Sequence, residues 1–286
     1  MNDGPIFDRR LRRLRRDRAA ARFGAADYLH RFAADELLER LDLVRRSFVR
    51  ALDLGCGDSY LTERLRARGI RVVAADAGFA FARAARGVQC DEDFLPFGDG
   101  VFDLIVSVGV LDSVDDLPGA LLLIRRALRP DGLFLAAMAG AGSLPKLKAA
   151  MLAADEAEGA ISPRIHPQID VRAAGDLLVR AGFALPVVDA ERIDVRFSDL
   201  LTLVRDLRAM AATNLLTARS RKPIGRFGLA AAAADFASRA DADGKTAERF
   251  EILHLLAWAP APDQPKPARR GSATVSLAAA LKPRSD

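Results

Sequence analysis

Asp53-Leu54-Gly55-Cys56-Gly57-Asp58 closes an apolar run that begins at Val49. The run, the paired glycines and the helical pattern over 60–68 read as a buried strand, a tight turn and a helix start. Glycine is needed there because the backbone must turn sharply, reach positive φ and admit a ligand without a Cβ in the way. A second apolar run, 70–75, ends in Asp76. A carboxylate at the tip of a second strand can accept hydrogen bonds from both hydroxyls of a ribose. Asp91 and Glu92 precede Phe94-Leu95-Pro96-Phe97, where an acid can accept the exocyclic amine of adenine while an apolar neighbour lies on the ring. The three stretches together describe a nucleoside site. Each also has a plainer reading, as a strand-to-helix turn or a solvated acidic loop. The turn lacks the third glycine of G-x-G-x-x-G, so close helix packing over a pyrophosphate is not specified.

The elements that must position these residues follow from periodicity. Strands are expected at 50–54, 71–75, 104–108 and 133–138, and helices at 60–68, 78–85 and 117–127. This alternation predicts an α/β fold, a doubly wound and mostly parallel sheet with right-handed crossovers. Asp103 opens the third strand, and 107–112 lies at its carboxyl end, the edge where open α/β sheets bind ligands. Leu128-Arg129-Pro130-Asp131-Gly132 is expected to be a structural turn. In the second half, helices are expected at 144–156, 171–181, 200–210 and 229–240. Strand-like segments at 187–195 and 250–259 can extend the same sheet to seven strands. Ahead of the core, 26–43 is an amphipathic helix with Tyr28, Leu29, Phe32, Leu37, Leu38 and Leu41 on its core face, placed to cover the mouth of a ligand site.

A chain of 286 residues, 50% hydrophobic and 28% charged, can bury one sizeable core and a smaller second lobe. Its 2 cysteines, Cys56 and Cys90, are too few for a disulfide framework, so a reducing compartment is expected. No apolar run is long and charge-free enough to span a bilayer, and the start has no signal-peptide pattern. Residues 1–50 hold 13 Arg against 8 acidic residues, a surplus equal to the whole net charge of +5. The remainder is balanced, which argues against a nucleic-acid enzyme with a basic cleft. Ile6, Phe7, Leu11 and Leu14 form a narrow stripe among the arginines of this arm. The arm reads either as a docking element for an acidic partner or an anionic membrane surface, or as a helix packed on its own domain. The density of arginine favours docking slightly. His30, His166 and His254 are the only histidines. Each reads as structural or surface, so no metal site is expected, and His166, between Pro163 and Pro167, is the one to watch. Val110-Leu111-Asp112 after the third strand offers no obvious base.

D-L-G-C-G-D, Asp76, D-E-D-F-L-P-F, F-D-L-I-V-S and L-R-P-D-G resemble, in order and spacing, the class I S-adenosylmethionine (SAM) methyltransferases. The resemblance implies that SAM is held by Asp53, Gly55, Cys56, Gly57, Asp76, Ala77, Asp91, Glu92, Phe94 and Ser107. Three further stretches resemble one subfamily, the methyltransferase-like assembly factors of respiratory complex I. They are I-F-D-R-R-L-R-R-L-R-R-D-R-A-A near the start, A-D-E-A-E-G-A-I-S-P in the middle and R-R-G-S-A-T-V-S near the end. That resemblance implies modification, by hydroxylation, of an arginine on a complex I iron–sulfur subunit. It implies a cap over 1–48, a SAM-binding core over 49–138, a continuation of the sheet with a helical cover over 139–259, and a tail over 260–286. Two alternatives stay open. One is ordinary methyl transfer to a small or carrier-bound acceptor, which needs alignment more than a strong base. The other is a non-enzymatic assembly chaperone with structural SAM. The alanine- and arginine-rich composition suggests a bacterial cytoplasmic protein, working at the inner face of the membrane if the arm docks there.

Overall fold

The computed structural model describes residues 4–264; the tail motif 269–276 lies outside them. Seven strands form one sheet in the order β3-β2-β1-β4-β5-β7-β6. They are β1 (Arg50–Leu54), β2 (Arg71–Asp76), β3 (Val88–Gln89), β4 (Phe102–Val108), β5 (Leu128–Ala139), β6 (Ala184–Phe197) and β7 (Thr246–Trp258). The first five pair in parallel, and β7 runs antiparallel to both its neighbours, β5 and β6. The expected strands are all present, and the two late ones do extend the same sheet. β3 was not foreseen, being only two residues long. The turn expected at 128–132 is corrected: β5 already begins at Leu128. Leu128 pairs with Phe102 and Leu133 with Leu104, so the ladder shifts register between them. Asp131 sits there at a left-handed φ of 61°, making the stretch a kink inside a strand.

The helices cover both faces because the strands are apolar on both. On one face, α2 (Tyr28–Asp42) and α3 (Tyr60–Ala67) bury Leu37, Leu61 and Leu65 against Leu104, Val106, Leu133 and Leu135. On the other, α5 (Leu117–Ala127) and α7 (Val171–Arg180) bury Leu121, Ile124 and Leu178 against Ile105 and Phe134. A third cluster forms where β6 and β7 overrun the sheet. There α6 (Pro145–Glu158), α8 (Leu200–Ala209) and α9 (Arg226–Ala237) gather Leu147, Leu203, Leu207 and Phe236 around Phe197 and Phe250. α4 (Phe79–Ala84) follows β2.

α1 (Arg9–Ala20) carries most of the arginines of the arm. Asp8 caps it, its side chain accepting from the Leu11 N–H at 2.9 Å. The chain ahead of it is tied down: Phe7 bridges to Leu216, and its N–H donates to Asp115 Oδ1 at 2.7 Å. Phe7 is 5% exposed and packs with Leu11, Leu215 and Leu216, while Leu14 stays 43% exposed. The arm is thus a packed part of the domain, and the preference for a free docking element is corrected.

Candidate functional site

The turn after β1 has the geometry its glycines predict. Gly55 and Gly57 have φ of 85° and 51°, and a Cβ on Gly55 would stand 2.5 Å from Val110. No side chain fits there, so the loop passes close under the ends of β1 and β4. Asp53 turns its carboxylate to the Thr62 hydroxyl at 2.5 Å. Burial, with the charge of Asp76 nearby, pushes its pKa up to about 7 against the bond from Thr62. Cys56 is buried, and burial also raises its thiol, leaving no nucleophile at the turn. Ser107 donates its hydroxyl to the Leu54 carbonyl at 2.8 Å and so braces β4 against β1.

Asp76, fully buried at the tip of β2, is the centre of the site. Its two oxygens accept the backbone N–H of Gly57 at 3.0 Å and of Gly78 at 2.7 Å. Those two bonds join the glycine turn to the start of α4, past the buried Ala77. The remaining acceptor capacity is filled by Arg16 of α1, whose Nε and Nη2 donate to Oδ1 and Oδ2 at 2.7 and 2.5 Å. One turn earlier, Arg12 makes the same two-pronged contact with Glu92, at 2.6 and 2.9 Å. Arg13 binds Asp91, and Arg9 binds Asp93 at 2.7 Å while its guanidinium lies over the exposed Phe94 ring. Helical spacing explains the pattern, since residues three and four apart share a face. Arg9, Arg12, Arg13 and Arg16 form one such face, and the acids wait at the ends of β2 and β3.

Arg12 and Arg16 are 5% exposed. Burial alone would lower both guanidinium pKa values, but the charges and bonds of Glu92 and Asp76 hold them above the ordinary value. The arginines are therefore charged, and their N–H donors fill the carboxylate oxygens that the sequence reading expects to take ribose hydroxyls and an adenine amine. Sequence reasoning marked the carboxylates and missed their partners. A pairing across 60 or 80 residues leaves no local pattern.

Among the described residues, two of the spaces that border this arrangement bear on a ligand. A void of about 30 Å³ lies against Gly55, Cys56, Gly57 and Arg16. A far larger cavity, about 600 Å³, lies between the carboxyl ends of β4 and β5, the face of α2, and the cover helices. Its wall is mainly apolar, with Leu29, Met138, Leu147, Val204 and Phe250 contributing. Arg12, Arg16, His30, Asp112, Arg164 and His166 supply polar groups. Arg164 is committed to Asp155 at 2.8 Å. Asp112 accepts no side-chain hydrogen bond or ion pair among the described residues, and it is half-buried. His166 Nε2 accepts from the Leu215 N–H at 2.9 Å, and its ring meets Phe7 edge-on at 5.0 Å. It therefore helps anchor the arm.

His30 sits at the junction of both spaces, edge-on to Phe23 at 4.8 Å, with Nδ1 unpartnered among the described residues. Gly109, at a φ of 66°, leaves room for it, since a Cβ there would stand 2.6 Å from Nε2. Burial, helped by the charge of Arg16, lowers the His30 pKa from 6.5 to about 4. The unfolded chain thus takes up a proton near pH 6.5, and the folded chain resists until about pH 4. Stability conferred by the neutral ring is whole above pH 6.5 and is lost as pH falls to 4, by roughly 3 kcal/mol at most. Asp53, raised to about 7, acts with the opposite sign, so the comparison must be between variants. His30→Leu is expected to flatten the acid limb of melting temperature against pH relative to the parent; parallel limbs would exclude this role.

The methyltransferase-domain family matches residues 18–185. The chain is 36% identical to "Arginine-hydroxylase NDUFAF5, mitochondrial" of Danio rerio over 96% of its length and 88% of that protein. It is 33% identical to the malonyl-[acyl-carrier protein] O-methyltransferase of Laribacter hongkongensis, covering 86% of this chain and 87% of that one. Among solved structures, a SAM-dependent methyltransferase of Thermotoga maritima superposes with a TM-score of 0.52 at 14% identity, covering 87% of this chain and 99% of that one. That likeness is one of fold. With the sheet order, the glycine turn and the buried acid of β2 in place, the chain belongs to the methyltransferase family, on the fold of the SAM-dependent enzymes.

Proposed function

We propose that the protein binds SAM at the ends of β1, β2 and β3 and modifies an arginine side chain of a partner protein admitted to the adjacent cavity. Support for the cofactor is the donor and acceptor set: the glycine turn, the paired acceptors of Asp76, and the acids Asp91 and Glu92. These groups fit a nucleoside once α1 yields them, because guanidinium groups fill them in the arm-docked state. SAM bound there would supply an activated methyl group; the chain's part is to hold the nucleoside, shape the acceptor cavity and keep water out. Gly55, Gly57, Asp76 and the acidic pair are the residues assigned to holding it. Asp53, Cys56 and Ser107 act behind them as bracing, and Ala77 and Phe94 border the site.

The observation that carries the choice of acceptor is the charge in the cavity. Arg12, Arg16 and Arg164 are each paired with a carboxylate, Arg208 stands exposed at the rim, and Asp112 is left without a partner among the described residues. An unpaired carboxylate in a mostly apolar cavity suits a cationic side chain and disfavours a carboxylate such as a malonyl group. The similarity to arginine hydroxylases over nearly the whole chain supports the same reading. By resemblance, the partner is an iron–sulfur subunit of complex I.

The test is intact-mass and peptide analysis of that subunit, isolated with and without this protein, alongside Asp112→Asn. A single arginine gaining one oxygen supports hydroxylation, and one gaining a methyl group supports the ordinary transferase chemistry of the fold. Asp112→Asn is expected to reduce either by at least about tenfold, the weight of one charge-assisted contact. No mass change at any arginine would leave an assembly chaperone in place of an enzyme.

A further inference from the structure

His254 lies in mid-β7, hydrogen-bonded into the sheet between β5 and β6. It is 1% exposed, and neither ring nitrogen has a hydrogen-bond partner among the described residues. A neutral imidazole has one donor and one acceptor to satisfy, and buried polar groups are ordinarily satisfied. What surrounds the ring accounts for the exception. Strand alternation puts Ile252, His254 and Leu256 on the face that α2 covers. Across the ladder, Asp189 stands opposite His254, and Glu191 is two residues along on the same face. Glu36 approaches from α2, and one donor atom each from Glu36, Glu191 and His254 lies within 4.8 Å of the others. His254 Nε2 and Glu191 Oε2 are 3.7 Å apart, too long for a hydrogen bond. Arg40, one turn beyond Glu36, spans the cluster's edge and binds Glu36 at 2.6 Å and Asp189 at 2.9 Å. With Glu36, Asp189 and Glu191 against Arg40 alone, the cluster keeps an excess of negative charge.

We propose that Glu36, Glu191 and His254 form a binding site for a divalent transition-metal ion of the zinc(II) or manganese(II) kind. One imidazole with two carboxylates suits such borderline ions, whereas calcium and magnesium take oxygen donors. Bonds of about 2.0–2.2 Å place ligand atoms roughly 3–3.5 Å apart. The His254–Glu191 pair is close to that spacing, and the two partly exposed glutamates have the freedom to close the remainder. With both ring nitrogens unpartnered among the described residues, the imidazole has a lone pair to give to an ion. When an ion takes Glu36, Arg40 retains Asp189 as its partner. Such a site would clamp α2 onto the antiparallel β6–β7 pair, and α2 carries Leu29, His30 and Ala33 into the large cavity. The ion would thus set how firmly the cavity's cover is held. The inference is independent of which cofactor or acceptor the cavity takes.

The experiment is calorimetric titration of the chelator-treated full-length protein with zinc chloride and, separately, manganese chloride, with melting temperature read in parallel. One ion per chain at micromolar affinity or better, with a rise in melting temperature, is expected for at least one of the two. Glu36→Gln and Glu191→Gln should each weaken that binding at least tenfold, and His254→Gln should abolish it. If His254→Gln does not fold, the Glu36→Gln/Glu191→Gln double variant decides, both residues being partly exposed. Absence of stoichiometric binding to the parent protein overturns the proposal. So does undiminished affinity in the double variant, which would assign the ion to other carboxylates.

Discussion

Asp76→Ala and Arg16→Met are expected to lower stability together and to move SAM affinity in opposite directions. The two side chains are buried against one another through two short bonds. Removing either leaves an uncompensated buried charge, a loss on the order of 3–5 kcal/mol. Without Asp76 the ribose hydroxyls also lose their acceptor, a further loss of roughly 2–4 kcal/mol, or about 30-fold or more in affinity. Without Arg16 the acceptor is vacant, held only by the N–H groups of Gly57 and Gly78. The nucleoside then has no guanidinium to displace, and SAM should bind at least about tenfold more tightly, a gain of ~1.4 kcal/mol. Calorimetric affinity with thermal melts of both variants gives the answer. Parallel losses of affinity would show that Arg16 assists the ligand and does not compete with it.

The second large effect concerns the whole arm. Deleting residues 1–18 should lower the melting temperature by on the order of 5–10 °C, since it removes Phe7 and both buried arginines. The loss should nevertheless fall short of the summed costs of Arg12→Met and Arg16→Met. A point substitution strands Asp76 or Glu92 in a dry site, whereas removal of α1 lets water reach both. Salt should matter little to the docked arm, because buried pairs are weakly screened. Hydrogen exchange offers an independent reading in the intact protein. Amides of α1 should exchange faster when SAM is added, and slower exchange would mean that the helix closes over the ligand.

The sequence made legible what is encoded within a few residues. The strand and turn at Asp53–Gly57, the acid ending β2 and the alternation of elements each have a local signature, and all stand where they were expected. The arm did not yield to the same reasoning. Its apolar stripe left docking and packing both open, with docking slightly favoured, and nothing in residues 6–18 says that the surface it meets carries Asp76, Asp91 and Glu92. That knowledge requires the sheet order, which brings β2 and β3 to one edge. β3 escaped because two residues carry no period. The kink at Asp131 was read as a turn because Pro130 and Gly132 are turn residues, whereas pairing on both sides keeps the chain in the sheet. His30 and His254 were passed over for a related reason: a single histidine has no spacing to read, and its meaning lies wholly in what surrounds it.

The place of β7 has a consequence for how the molecule is made. The strand that leaves the ribosome last among the seven is an interior one, seated between β5 and β6. Until it arrives, β5 is an open edge whose residues from Gly132 to Ala139 include an almost wholly apolar run, Leu133–Met138, the kind of edge that recruits other chains. β6 meanwhile has nothing to pair with. The parallel half bearing the glycine turn and Asp76 can be complete well before that closure, while the anchor of α1 at Leu215 and Leu216 is still being synthesised. Nascent chains would therefore pass through a stage in which the nucleoside edge is formed and the arm lacks the part of its anchor at Leu215 and Leu216. A ligand present during synthesis would meet an arm held by its arginine pairs but not yet by Leu215 and Leu216.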